Sequence, residues 1–292
     1  MCDQDHYDDD LKELNERAAL SRRQFAALGL GAAGAFVLQR NVNAVAVTET
    51  DVKIKTADGT CDAYFVHPEQ GKHAAVLIWP DIFGLREAFK GMATRLAQAG
   101  YAVLVVNPFY RSKRAPTSLP GADFKDPAVR EALMALRGSL NADTAPVDAK
   151  AFLGFLDKQK ATDTRRKAGT MGYCMGGPLV MRTAAALPDR IGAGASYHGG
   201  GLATDKPDSP HLLIPSMKAS FLIAVAANDD EKDPAAKDTL RAAFDKAKLP
   251  AEIEVYAGTK HGWCPTDSPV YDHDQAEKAW ERMMALFAKA LA

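Results

Sequence analysis

Two short segments near the start of the chain, Val52 to Lys55 and Asp62 to Val66, alternate apolar and polar residues on either side of Asp58-Gly59. That period of two with a turn signal between predicts a hairpin with one buried face. Beyond a turn at Pro68 to Lys72 the alternation stops, and Ala74 to Trp79 and Tyr101 to Val106 are apolar at every position. Unbroken apolar runs of this length mark strands covered on both faces. Glu87 to Ala99, ended by Gly100, predicts a helix between them. Further strands are expected at Arg166 to Thr170, Ile191 to Tyr197, Phe221 to Ala226 and Glu252 to Tyr256. Helices are expected from Asp143 to Lys158, Pro178 to Leu187, about Pro234 to Lys248 and about Asp274 to Leu291. Strands separated by helices predict an α/β fold with a mostly parallel, twisted sheet and helices on both faces. The weakly patterned stretch from Arg111 to Asp126, with Pro116 and Pro120, is expected to be a loop able to cover a site.

The first 46 residues follow a different pattern. Ser21-Arg22-Arg23-Gln24-Phe25 is a twin-arginine signature, an apolar stretch runs from Ala26 to Leu38, and Asn43-Ala44-Val45-Ala46 has the small residues of a cleavage site. This order predicts a leader read by the Tat export machinery, cleaved after Ala46, and hence a periplasmic or secreted protein. The apolar stretch falls short of the ~20 residues that a permanent membrane span needs. Residues 47–292 are then expected to form a single domain, with the acidic run Asp8 to Asp10 in the solvated leader.

Composition narrows the choice of partner. The formal net charge is −1 and no basic stripe appears, which argues against nucleic acid and anionic membrane surfaces. A small-molecule substrate is the better expectation. Four cysteines occur, Cys2, Cys61, Cys174 and Cys264, without a CxxC pair or a metal-ligand spacing, so neither a metal nor an organic cofactor is implied. Loss of the leader leaves an odd number in an oxidising compartment, where a retained free thiol points to chemistry.

Gly172-Tyr173-Cys174-Met175-Gly176-Gly177 supplies that chemistry. It is a G-x-C-x-G frame at a strand-to-helix turn, the position of the nucleophile in α/β-hydrolases, where strain leaves space only for small neighbours. A buried cysteine at a tight crossing would give the same residues without reactivity. A thiol nucleophile needs a base and the base needs an orienting acid, in the chain order nucleophile, acid, histidine. His261 fits the base. Asn228-Asp229-Asp230 follows the strand ending near Ala226; Asp229 is the expected acid and Asp230 its competitor, since spacing does not say which carboxylate turns inward. The oxyanion donors are expected from the backbone N–H groups of Met175 and of Ile82, in the loop after an early strand. Asp81 then falls beside the nucleophile, as a tuner of the thiol or as a turn residue. His198 ends a strand and either lines the pocket or forms a turn.

Three separated motifs, the Cys174 frame, Asp81-Ile82-Phe83-Gly84 and Lys260-His261-Gly262-Trp263, resemble those of the dienelactone hydrolase family, and the similarity extends over residues 50 to 291. The resemblance implies an α/β-hydrolase with a Cys-Asp-His triad, here Cys174, Asp229 and His261, opening lactones or esters; the type substrate is a dienelactone from chlorocatechol breakdown. It also implies an oxyanion hole like the Ile82 and Met175 pair. Well-known members carry glutamate where this chain has Asp81, and an arginine four residues after the histidine where this chain has Pro265. Arg111, Arg114, Arg130 and Arg137 are the remaining candidates for an anion contact. The expected activity is carboxylic ester hydrolysis of the carboxymethylenebutenolidase type. The competing expectation is an inactive scaffold that binds a ligand or exchanges thiols, with Cys264 as a resolving cysteine.

Overall fold

The computed structural model describes residues 45–292. All but the last two residues of the expected leader lie outside them. The described residues form an eight-stranded sheet in the order β1-β2-β4-β3-β5-β6-β7-β8. Strands β1 (Val47–Thr56) and β2 (Gly59–Pro68) are the antiparallel hairpin, closed by Thr56 facing Gly59, and β2 pairs antiparallel with β4 (Tyr101–Val106). From there the sheet is parallel through β3 (Ala74–Trp79), β5 (Ala168–Tyr173), β6 (Ile191–Tyr197), β7 (Ser220–Ala226) and β8 (Ala251–Tyr256). Every residue of β3, β4 and β5 is buried, as their apolar runs require. The α/β-hydrolase class expected from the sequence is the fold observed.

Two apolar layers sandwich the sheet. On one face, α1 (Glu87–Gln98) lays down Phe89, Ala93, Leu96 and Ala97, and α7 (His273–Ala290) lays down Ala279, Met283 and Phe287. Both sets recur at three- and four-residue steps, one stripe of a 3.6-residue helix. The opposite face is covered by α3 (Thr144–Leu156) through Ala149, Phe152 and Leu153, by α4 (Gly176–Ala186) through Leu179 and Val180, and by α6 (Ala236–Ala247) through Leu240 and Phe244. Each large side chain buried this way contributes about 1.5–3 kcal/mol.

Three elements differ from expectation. The loop after β4 ends in an extra helix, α2 (Pro127–Arg137), capped by Asp126, whose carboxylate accepts from the Ala128 and Val129 amides. Only Leu133 of α2 is buried, so its apolar stripe is too thin to stand out in the sequence. The helix expected from about Pro234 is preceded by a separate turn of helix, α5 (Ala227–Lys232), that begins directly at the end of β7. Pro210–Ser216 forms a 3-10 helix. No helix among the described residues is long and apolar enough to cross a membrane.

Candidate active site

Parallel strands all point their C-terminal ends the same way, and ligands of open α/β sheets bind at that edge. The loops leaving β3, β5, β6, β7 and β8 there carry Asp81, Cys174, His198, Asp229 and His261 in turn. Cys174 sits at the tip of the turn between β5 and α4 with φ 52, a left-handed conformation that is strained for a residue with a side chain. Its N–H donates to the Tyr197 carbonyl at 3.0 Å, and its carbonyl accepts from Gly177 N–H at 3.0 Å, which pins the turn. The glycines of the frame are sterically required. A Cβ on Gly172 would lie 2.3 Å from the Gly176 carbonyl oxygen, and one on Gly176 would lie 2.3 Å from that of Trp79. One on Gly177 would meet the Gly199 Cα at 2.7 Å, whereas Gly200 has open space around it.

The partly exposed Cys174 side chain lies close enough to His261 to act on the ring's ionisation. On its other side, Nδ1–H donates to Asp229 Oδ2 at 2.6 Å. Burial works against a charged ring, but the bonds to Asp229 and Cys174 and their charges outweigh it and push His261 up to about 10. The His261 backbone is held too: its N–H donates to Asn228 Oδ1 at 2.9 Å. Thr259 Oγ1 accepts from Ala227 N–H at 3.2 Å and donates to the Tyr256 carbonyl, tying the histidine loop to the start of α5. Helix α5 gives the two acids different partners. Asp229 faces His261, whereas Asp230 pairs with Lys237 at 2.7 Å.

Ile82 and Met175 share one apolar cluster with Phe109 and Leu133. Neither of their backbone N–H groups donates to an acceptor among the described residues. Asp81 is buried, and both of its oxygens are engaged. Arg86 holds it bidentately at 2.7 and 2.9 Å, and Phe83 N–H donates to Oδ1 at 2.9 Å. The expected thiol tuner is thus a neighbour of Arg86, with its charge directed at the guanidinium. Burial raises the Asp81 carboxyl against the pull of Arg86. Arg86 also reaches Asp267, at 2.7 and 3.0 Å, in the segment after the histidine loop, and stacks over Phe89 at 4.7 Å. Arg86, Asp267, Asn228 and Thr259 were not singled out from the sequence. Their partners lie far away along the chain, Asp267 181 positions from Arg86, and no local pattern marks such pairs.

His198 is buried at the end of β6 with φ 40. Its ring stands edge to face with His261 at 4.8 Å and with Trp263 at 5.2 Å. Burial, with His261 beside it, holds the ring well below the ordinary histidine range, hence neutral. Of the four arginines named above, Arg111 is committed to Asp58 and to the fully buried Asp148. Cys264 is buried among Tyr173, Tyr197 and Trp263, and burial pushes its thiol well above the usual range. Cys61, Cys174 and Cys264 are all free thiols. Among the described residues no group of three or more His, Cys, Asp or Glu could hold a metal.

Comparison with known proteins agrees with this fold. The model of the dienelactone hydrolase family matches residues 61–291. A protein of Methylorubrum extorquens that carries the provisional name carboxymethylenebutenolidase is 26% identical over 96% of this chain and 97% of its own. The carboxymethylenebutenolidase of Rhodococcus opacus is 25% identical over 80% of this chain and 88% of its own. Among solved structures, one from Klebsiella pneumoniae, provisionally described as a dienelactone hydrolase, superposes with a TM-score of 0.72 at 22% identity. That match covers 84% of this chain and 99% of the Klebsiella chain.

Proposed function

The chain belongs to the dienelactone hydrolase family and is a hydrolase, and from that premise we propose that it cleaves a small lactone or carboxylic ester through a Cys174–His261–Asp229 triad. The observation that carries this reading is the strained Cys174 turn beside His261, whose Nδ1 is held by Asp229 at 2.6 Å. The Cys174 sulfur attacks the carbonyl carbon while His261, raised to about 10, already holds the proton on Nε2, and the carbonyl oxygen becomes negative. The N–H groups of Ile82 and Met175 meet that charge, a role each can take because neither is engaged among the described residues. As the tetrahedral centre collapses, the C–O bond to the leaving alkoxide breaks and His261 gives the proton to it. A thioester remains on Cys174. Water, giving its proton to His261, then attacks the thioester carbon; the C–S bond breaks, the acid leaves and the thiolate is restored.

Asp229 keeps Nδ1 protonated so that Nε2 faces the sulfur, and it supports the imidazolium that forms. Asp81 acts in this reading on the oxyanion loop: held by Arg86, it fixes the backbone from which Ile82 donates. The test is a burst experiment with p-nitrophenyl acetate. The protein should release about one equivalent of nitrophenol rapidly and gain one acetyl group at Cys174 by mass. Cys174→Ser and His261→Ala should abolish both, and hydrolysis that survives both variants would refute the triad. The twin-arginine leader supports export by the Tat route. Fusion of residues 1–46 to a reporter should give a periplasmic product that disappears in a Tat-deficient host.

A further inference from the structure

Beside the thiol turn lies a cavity of about 300 Å³ that the reaction just described does not use. Met175, which follows the nucleophile, forms one of its walls and Gly200, two residues beyond His198, another, so one end of it borders the thiol turn. From there it follows the face of α4 that carries Pro178, Leu179 and Arg182, with Arg137 of α2 and Lys206 also lining it. Three cations therefore line this space, and Asp208 is the only carboxylate that does.

Asp208 compensates only part of that charge. The Arg182 side chain is 11% exposed and makes its close contact with the Asp208 carbonyl at 2.6 Å; the Asp208 carboxylate is 3.6 Å away and itself 56% exposed. The side chains of Arg137 and Lys206 donate to no acceptor among the described residues. Arg111, another of the arginines named from the sequence, is occupied by Asp58 and Asp148. A cavity with this excess of positive charge, walled also by apolar Leu140, Pro178 and Leu179, suits a chain with an apolar middle and an anionic end.

We propose, resting on the hydrolase reading above, that this cavity binds the far end of the substrate, and that the substrate is an elongated ester or lactone with an anionic group remote from the scissile bond. Arg182 lies seven residue steps along α4 from Met175, on the order of 10 Å at the α-helical rise. An extended chain of roughly eight single bonds covers that distance. The anion therefore sits far from the reacting carbonyl, and Arg137, Arg182 and Lys206 act on selectivity.

The experiment measures kcat/KM for two ester series of increasing length. One carries the carboxylate on the acyl side, as p-nitrophenyl esters of α,ω-dicarboxylic acids. The other carries it on the alcohol side, as acetates of ω-hydroxy acids. Each ester is compared with its methyl-capped, neutral counterpart. In one series the anionic-to-neutral ratio should rise to about tenfold where the spacer reaches roughly eight bonds, and added salt should reduce it. Arg182→Gln, and independently the exposed pair Arg137→Gln with Lys206→Gln, should bring the ratio toward one. A ratio within twofold of one at every length in both series, or a preference that survives both sets of variants, overturns the proposal. The p-nitrophenyl acetate burst in the same preparation separates the two claims: if it persists, only the anion site falls.

Discussion

Replacing Arg86 with methionine tests how the site is held together. The substitution keeps much of the aliphatic stem and removes the guanidinium that grips Asp81 with two bonds. The Asp81 side chain is 8% exposed, so its charge is left buried with a single N–H donor, that of Phe83. Removing one partner of a buried pair costs about 3–5 kcal/mol. The Asp267 arm, 46% exposed at the carboxylate, adds about 0–1 kcal/mol, and the loss of the cation over the Phe89 ring adds about 0.5–1 kcal/mol. A deficit of about 4 kcal/mol is therefore expected in urea unfolding near neutral pH, a large share of the ~5–15 kcal/mol typical of a folded domain. The deficit has a sign in pH. Without Arg86, burial acts nearly unopposed and the folded-state carboxyl lies above its unfolded value. Such an acid contributes fully below the unfolded value and loses that contribution as pH rises through the folded one. The variant should thus recover part of its stability as pH falls toward about 4. Adding Asp81→Asn to Arg86→Met should restore most of the loss. A deficit under ~1 kcal/mol, identical in acid and at neutrality, would refute the view that Arg86 compensates a buried charge.

Asp229→Asn should lower kcat by about a thousandfold or more through the wrong imidazole tautomer, while Asp230→Asn, which frees only Lys237, should stay within a few fold; equal losses would show that α5 is misread. Gly176→Ala should destabilise the fold by about 3 kcal/mol or more, seen as a lowered melting temperature, because its methyl would sit 2.3 Å from a backbone oxygen. Because His261 is raised to about 10, its interactions stabilise the fold fully below its ordinary value of 6.5 and less as pH rises through about 10. The stability gap between wild type and His261→Gln should therefore narrow in alkali, and a constant gap across that range would contradict the pairing. In a Cys2→Ser background, iodoacetamide should label Cys174 rapidly and leave the buried Cys61 and Cys264 for the unfolded chain.

What could be read from the chain follows the range over which each signal acts. Strands β3 and β4 stand out because burial on both faces demands apolar residues at every position, and α1 because one stripe of it must meet the sheet. The Cys174 frame is legible because its constraint is local, three glycines whose neighbours lie within a few residues or on the adjoining strand. Helix α2 went unread because a helix with one buried residue carries almost no stripe, although Asp126-Pro127 was a visible start signal. The choice between Asp229 and Asp230 depended on the rotation of α5, a turn of helix where the sequence predicted no element. Arg86 and the charged cavity belong to a third class. They arise where segments far apart along the chain, such as α2, α4 and the stretch around Lys206, come together in space, and no window of sequence contains them.

The glycines around the nucleophile turn divide in a way that matters for redesign. Saturation libraries aimed at Gly172, Gly176 or Gly177 would mostly yield insoluble clones, because each added methyl runs into main chain. Gly200 is the opening for an engineer. It borders the same cleft, has nothing within 4 Å of a hypothetical methyl, and keeps a backbone that ordinary residues tolerate. Substituents of graded size at that one position offer a dial for the acceptable length of reactant, with the catalytic apparatus left untouched.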